Sequence, residues 1–155
     1  MNTWKTASAR GLVSGTVASV LSTVALTALG KATDGSGSGP TNAISHWVWG
    51  DRAARRDGPS WRYTATGYLI HHASATFWAV LFERLLKPQL DKQDPAVTLP
   101  AAAAASALAC FVDYRITPER LKPGFEQRLS RPSLALVYGA FGLGLALGAL
   151  LNRRD

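Results

Sequence analysis

The sequence predicts an all-α fold, a bundle of four transmembrane helices with short amphipathic interfacial helices in the first and third connections. Two observations predict it. Four stretches, 11–30, 63–82, 95–112 and 132–151, contain no Asp, Glu, Lys or Arg. Each approaches the roughly 20 residues that a helix needs to cross a bilayer. The 27 charged residues, 17 basic and 10 acidic, all lie outside these four stretches. A water-soluble bundle spreads Lys and Glu along its outer faces at helical spacing, and these stretches have none to spread. Mean hydropathy is only +0.04 because charge is segregated, not absent. The length fits a single integral domain, residues 1–155, with spans at about 11–30, 63–86, 96–115 and 132–151.

The first stretch follows Lys5 and Arg10 and ends in Ala28-Leu29-Gly30, which is similar to a signal-peptide cleavage site. Its apolar run exceeds the roughly 7–15 residues of a secretory h-region, so it is read as a retained span. Gly11, Gly15, Ser19, Thr23 and Thr27 recur every four residues in it, and Ser14, Ala18 and Ser22 form a neighbouring row. Such a face lets another helix approach closely. The fourth stretch mirrors it with Ala140, Gly144 and Gly148 in one row and Ala135 and Gly139 in another. The expected helix-packing residues are therefore Gly11, Gly15, Ser19, Thr23, Gly144 and Gly148. They pair spans 1 and 4 within one chain or, alternatively, form a homo-oligomer face.

The first connection opens with the Gly/Ser-rich segment Asp34–Pro40, a flexible linker by composition. Pro40-Thr41-Asn42 then starts a short helix with Ile44, Trp47 and Val48 on one face. Asp51, Arg52, Arg55 and Arg56 follow, and Trp47, Trp49, Trp61 and Tyr63 stand among these arginines. Aromatic rings with a polar edge favour the headgroup layer, so this segment is expected to lie flat on the membrane. The second connection is short; Pro88 ends span 2, and Pro95 and Pro100 stand at the entry to span 3. In the third, Thr117 is an expected N-cap with Pro118 at the first helical position, followed by a short helix and a turn at Lys122-Pro123-Gly124.

A net charge of +7 points to lipid, because basic residues flanking apolar spans set topology and meet anionic headgroups. No nucleic-acid motif accompanies the charge, so the expected partner is the lipid bilayer and not nucleic acid. Cys110 is the only cysteine, which excludes an internal disulfide, a multi-cysteine metal site and a membrane thiol–disulfide oxidoreductase. There is no G-x-S-x-G elbow, Walker loop, G-x-G-x-x-G turn or HExxH pair. No catalytic residue is assigned.

Chemistry is expected at the ionisable groups near the spans. His71 and His72 lie about two turns inside span 2, where a polar side chain is costly and raises a functional hypothesis. Adjacent helical positions point about 100° apart. His72 shares a stripe with Tyr68, Thr76 and Glu83, whereas His71 lines up with Gly67, Ala75 and Trp78. With His46 and Asp113 these form the candidate polar or proton site: His72, His71, His46, Asp113 and Glu83. One reading is a polar lock across helices. The other is a proton- or metal-handling transporter, or a redox accessory protein, centred on His72. The ligand spacing assigns no metal and no cofactor. The first reading makes the chain a non-enzymatic structural or interaction protein of the membrane.

The small-residue first span, the loop Pro40–Gly50, the Gly67–Glu83 span with its histidine pair, and the segment from Asp113-Tyr114 to Pro123-Gly124 together carry a resemblance. The chain resembles uncharacterised bacterial four-helix inner-membrane proteins of the YagU-like kind. The resemblance implies a multi-pass protein of the bacterial inner (cytoplasmic) membrane and brings no activity with it. Four spans put both termini on one side. Seven Lys and Arg lie on that side and ten on the other, so the charge rule places the first and third connections in the cytoplasm. Lys5 and Arg10 ahead of the first span pull the other way.

Overall fold

A computed structural model describes residues 3–152, and among them there is no β-strand. Seven α-helices follow in order: α1 (Trp4–Leu29), α2 (Gly39–Ile44), α3 (His46–Trp49), α4 (Thr66–Leu85), α5 (Lys87–Leu90), α6 (Pro95–Phe111) and α7 (Arg131–Leu151). Three helical segments among the described residues are long and apolar enough to cross a membrane: Trp4–Asp34, Pro95–Ile116 and Arg131–Leu151. The count is three where the sequence reading has four. α4 is long enough, at 20 residues, but Thr66, Tyr68, His71, His72, Ser74, Thr76, Glu83 and Arg84 lower its apolarity.

The helix ends have local causes. α1 runs into a wide π turn, Gly30–Asp34, closed by Gly35 at φ +77°, a left-handed conformation suited to glycine. α4 is preceded by the π turn Trp61–Ala65, where Ser60 Oγ accepts the Tyr63 N–H and Thr64 Oγ1 accepts the Ser60 N–H. This reciprocal cap replaces the start at Tyr63 read from the charge-free stretch. Asp94 caps α6 by accepting the Ala96 N–H at 2.8 Å.

In the third connection, Thr117 does not cap a helix. Its hydroxyl donates back to the Val112 carbonyl at 2.9 Å, closing the π turn Val112–Ile116. Two short 3₁₀ turns follow, Glu119–Leu121 and Phe125–Gln127.

The chain divides into two compact units. The first holds the chain as far as Ser22, His72–Cys110, and the chain from Tyr138; the second holds Thr23–His71 and Phe111–Val137. The core of the first unit is mostly alanine: Ala18, Ala75, Ala79, Ala102, Ala109, Ala146 and Ala149, with Phe82, Leu90, Phe141 and Leu145. Small side chains let the helices touch through their backbones. A Cβ on Gly15 would sit 2.6 Å from the Thr76 Cα of α4, and Gly144 and Gly148 of α7 lie against the backbones of Ala18 and Ser14. Ser106 Oγ–H of α6 donates to the Tyr138 carbonyl of α7 at 2.6 Å.

α1 and α6 bury mostly small residues and turn large apolar ones outward, whereas α4 and α7 expose large apolar residues but also bury Phe82, Val137, Phe141 and Leu145. α1 buries Ala7, Gly11, Ser14, Gly15, Ala18, Ser19, Ser22 and Leu26 and exposes Leu12, Val13, Val20 and Val24. α7 exposes Leu136, Leu143, Leu147 and Leu151; α6 exposes Leu99, Leu108 and Phe111; α4 exposes Leu69, Phe77 and Leu85.

The second unit is built differently. All six residues of α2 are buried, so this helix does not lie on a surface with one apolar face outward. Ile44 is buried while Val48 is 58% exposed. Gly67 at the start of α4 packs directly on the Thr41 carbonyl, where no side chain fits. The Gly/Ser segment before α2 is pinned and is not a loose linker: Ser36 and Ser38 hydroxyls both donate to the Asp57 carbonyl, and Ser36 Oγ accepts the Gly39 N–H.

Candidate functional site

Glu83 is the one fully buried charged side chain among the described residues, 1% exposed. It lies in the last turn of α4. Ser14 of α1 donates its hydroxyl to Glu83 Oε1 at 2.7 Å, and Asn152, just beyond α7, donates its amide to the same oxygen at 3.0 Å. The Asn152 amide also reaches Ser14 Oγ and the Arg10 carbonyl, each at 3.1 Å. One carboxylate thus ties α1, α4 and the end of α7. The sequence sets this up locally. Gly148 faces the Ser14 backbone, which draws α7 close enough for Asn152, one turn on, to reach the carboxylate.

The same face of α4 continues towards its N-terminus. Thr76 faces Gly15, and His72 Nδ1 lies 2.8 Å from Ser19 Oγ. The Thr76 hydroxyl is buried without a hydrogen-bond partner among the described residues. Near Glu83, Arg10 lies 3.7 Å from Asp91, which also pairs with Lys87, and the Arg84 guanidinium lies over the Trp4 ring at 5.3 Å.

The other candidate residues belong to the second unit. His71 meets Phe125 edge-on, with ring centroids 6.4 Å apart. His46 donates Nε2–H to the Lys122 carbonyl at 2.9 Å, an acceptor it shares with the Trp47 indole at 3.0 Å. Asp113 lies half-buried in the π turn after α6. Of the five candidates, His72 and Glu83 share one unit and one partner helix, whereas His46, His71 and Asp113 belong to the second unit. Among the described residues no three His, Cys, Asp or Glu side chains converge as metal ligands.

The packing residues divide between two neighbours. Gly11 lies against Val80, Gly15 against Thr76 and Ser19 against His72, all on α4, whereas Ala18 and Ser14 receive Gly144 and Gly148 of α7. The first row of α1 therefore meets α4, where the sequence pattern suggested the fourth stretch. Thr23 is half-buried in the second unit.

Compared with protein families, curated proteins and solved structures, the chain matches none. The geometry alone carries the functional reading.

Sequence reasoning missed Asn152 and the second unit's two polar hubs. Asn42, fully buried, donates to the carbonyls of Arg56 and Gly58 at 2.9 and 3.0 Å and accepts the Thr64 hydroxyl at 2.6 Å. Arg128 donates to Asp34 and Asp57, each at 2.6 Å, and to the Ala54 carbonyl at 2.9 Å. Burial works to lower its pKa, but the hydrogen bonds and charges of Asp57 and Asp34 outweigh this and hold it above the ordinary value. A cation held above its ordinary pKa keeps its stabilising effect below that value and loses it only as pH rises past the raised one. Arg128 is therefore a pH-independent clasp across the physiological range.

Proposed function

We propose that this chain is a small integral membrane protein with four spans, α1, α4, α6 and α7, resident in a bacterial inner membrane and akin to the YagU-like proteins. In this reading it acts without enzymatic chemistry, as a structural or interaction component. The observation that carries it is the inside-out polarity of α1 and α6, together with the large apolar side chains exposed on all four long helices. Gly, Ala and Ser are buried on α1, while Leu12, Val13, Val20 and Val24 face outward. In water this arrangement wastes the hydrophobic effect; in lipid, where tails are as apolar as Leu, close small-residue packing is the available driving force. α4 fits as the fourth span because its polar stripe, His72, Thr76 and Glu83, turns towards α1 while Leu69, Phe77 and Leu85 face outward. Alkaline washing of membranes from expressing cells tests the reading. The protein stays in the pellet and needs detergent for extraction; release into the supernatant as a monodisperse species rejects it.

Within this reading Glu83 is a polar lock. Glu83→Gln keeps a carbonyl acceptor for Ser14 and Asn152 and leaves thermal stability in detergent within about 0.5 kcal/mol, whereas Glu83→Ala costs about 2 kcal/mol. A second reading, proton handling by Glu83 and His72, is favoured by one feature: an ionisable group inside a span is functional by default. Proton flux in proteoliposomes that Glu83→Gln abolishes without loss of stability selects that second reading.

A further inference from the structure

Arg56, Tyr63, Trp49 and Arg62 of the second unit form a continuous stack. The Arg56 guanidinium lies 5.4 Å from the Tyr63 ring centroid, Tyr63 meets Trp49 edge-on at 6.4 Å, and the Arg62 guanidinium lies 4.9 Å from the Trp49 ring. The Trp49 indole donates to the Arg62 carbonyl at 2.8 Å, which fixes the ring beneath that guanidinium. Tyr63 is buried and the amide of Asn42 holds the Arg56 carbonyl, so the stack is anchored from below.

Among the described residues neither Arg56 nor Arg62 has a carboxylate partner or donates a side-chain hydrogen bond. A guanidinium stacked on a ring keeps its N–H edge available, and five donors in a fixed fork suit a phosphate. Arg52 and Arg55 are exposed in the same loop, and Asp57 is paired with Arg128. Beside Arg62, Trp61 is 92% exposed. An indole left that bare matches the boundary between headgroups and acyl chains better than it matches water.

We propose that this cation–aromatic stack is a docking site for the phosphodiester headgroups of anionic lipid, with Arg56 and Arg62 as phosphate ligands and Trp61 entering the interface. The proposal rests on the membrane reading above, since the stack stands at the entry to α4 and meets headgroups only if α4 spans the bilayer.

The test uses the full-length protein in mild non-ionic detergent with phosphatidylglycerol and phosphatidylethanolamine added in equal amounts, and bound lipid counted by native mass spectrometry. Wild type retains phosphatidylglycerol selectively. R56Q/R62Q lowers its occupancy about twenty-fivefold, from about fivefold per arginine, with an unchanged melting curve. R115Q/R120Q, in the other connection, leaves it within about twofold. R56K/R62K, which keeps charge but loses the planar fork, falls between. An equal loss in both glutamine pairs reduces the effect to net charge and overturns the site. Displacement by millimolar inorganic phosphate at the same effective concentration as by lipid overturns the lipid assignment. Recovery of wild type from the soluble fraction without detergent is instead a failure of the membrane reading, visible before any lipid is added.

Discussion

In the first unit Ala18, Ala75, Ala79, Ala102 and Ala146 fill the core, and helices meet through Gly15, Gly144 and Gly148. In the second, Asn42 and Arg128 each reach three groups far apart in sequence, and a whole short helix is buried around them. One unit relies on shape with a single polar knot at Glu83; the other relies on hydrogen bonds. The difference follows from what each backbone offers. Long helices satisfy their own peptide groups and need only closeness. The connections run as short helices and turns, so carbonyls such as those of Arg56, Gly58 and Ala54 need donors from side chains.

The largest effect should come from breaking closeness. Gly15→Leu drives a side chain into the Thr76 backbone and is expected to cost about 3 kcal/mol in detergent melts, whereas Val20→Leu, on the outward face, changes stability by less than about 0.5 kcal/mol. Equal losses at the two sites would erase the distinction between inner and outer faces of α1.

Next is Arg128→Ala, which strands Asp34, Asp57 and the Ala54 carbonyl. Partial exposure of Asp57 tempers the loss to about 2–3 kcal/mol. Arg128→Lys should recover less than half, because one ammonium cannot serve three acceptors in the fork geometry. Full rescue by Lys, measured by thermal melts, would mean that charge alone matters.

The smallest effect sharpens the first. Gly139 has open space around its Cα, so Gly139→Ala should be neutral or stabilising by about 0.5 kcal/mol, through helix propensity. Gly139→Leu should leave the molecular mass in detergent unchanged. A drop in mass would reveal a homo-oligomer held through the exposed small residues of α6 and α7.

Much of the first unit is legible in the sequence. The four-residue spacing of Gly11, Gly15 and Ser19 fixes one smooth face, and the spacing of His72, Thr76 and Glu83 fixes one polar stripe, because helical period alone decides which residues share a side. Which neighbour each row meets is not legible; Gly11 and Gly15 suit α4 or α7 equally until the helices are placed. The segregation of charge also hides the cost of uncharged polar groups, so a stretch free of Asp, Glu, Lys and Arg at 63–82 reads as a span although its histidines and threonines make it the least apolar of the four. In the second unit, Arg128 and Asp34 are 94 residues apart, and no local pattern marks them as partners among the other loop charges. Asn152 is similar. It reads as the residue where an apolar run stops, and only the approach of Gly148 to Ser14 makes it a ligand of Glu83.

The most direct test of the inside-out bundle is spin-label accessibility in lipid. In a Cys110→Ser background, labels at Val20, Phe77, Leu108 and Leu143, one on each long helix, should collide with oxygen dissolved in the bilayer and be shielded from a water-soluble nickel complex. Strong collision with the nickel complex at all four positions would place these faces in water and contradict the account.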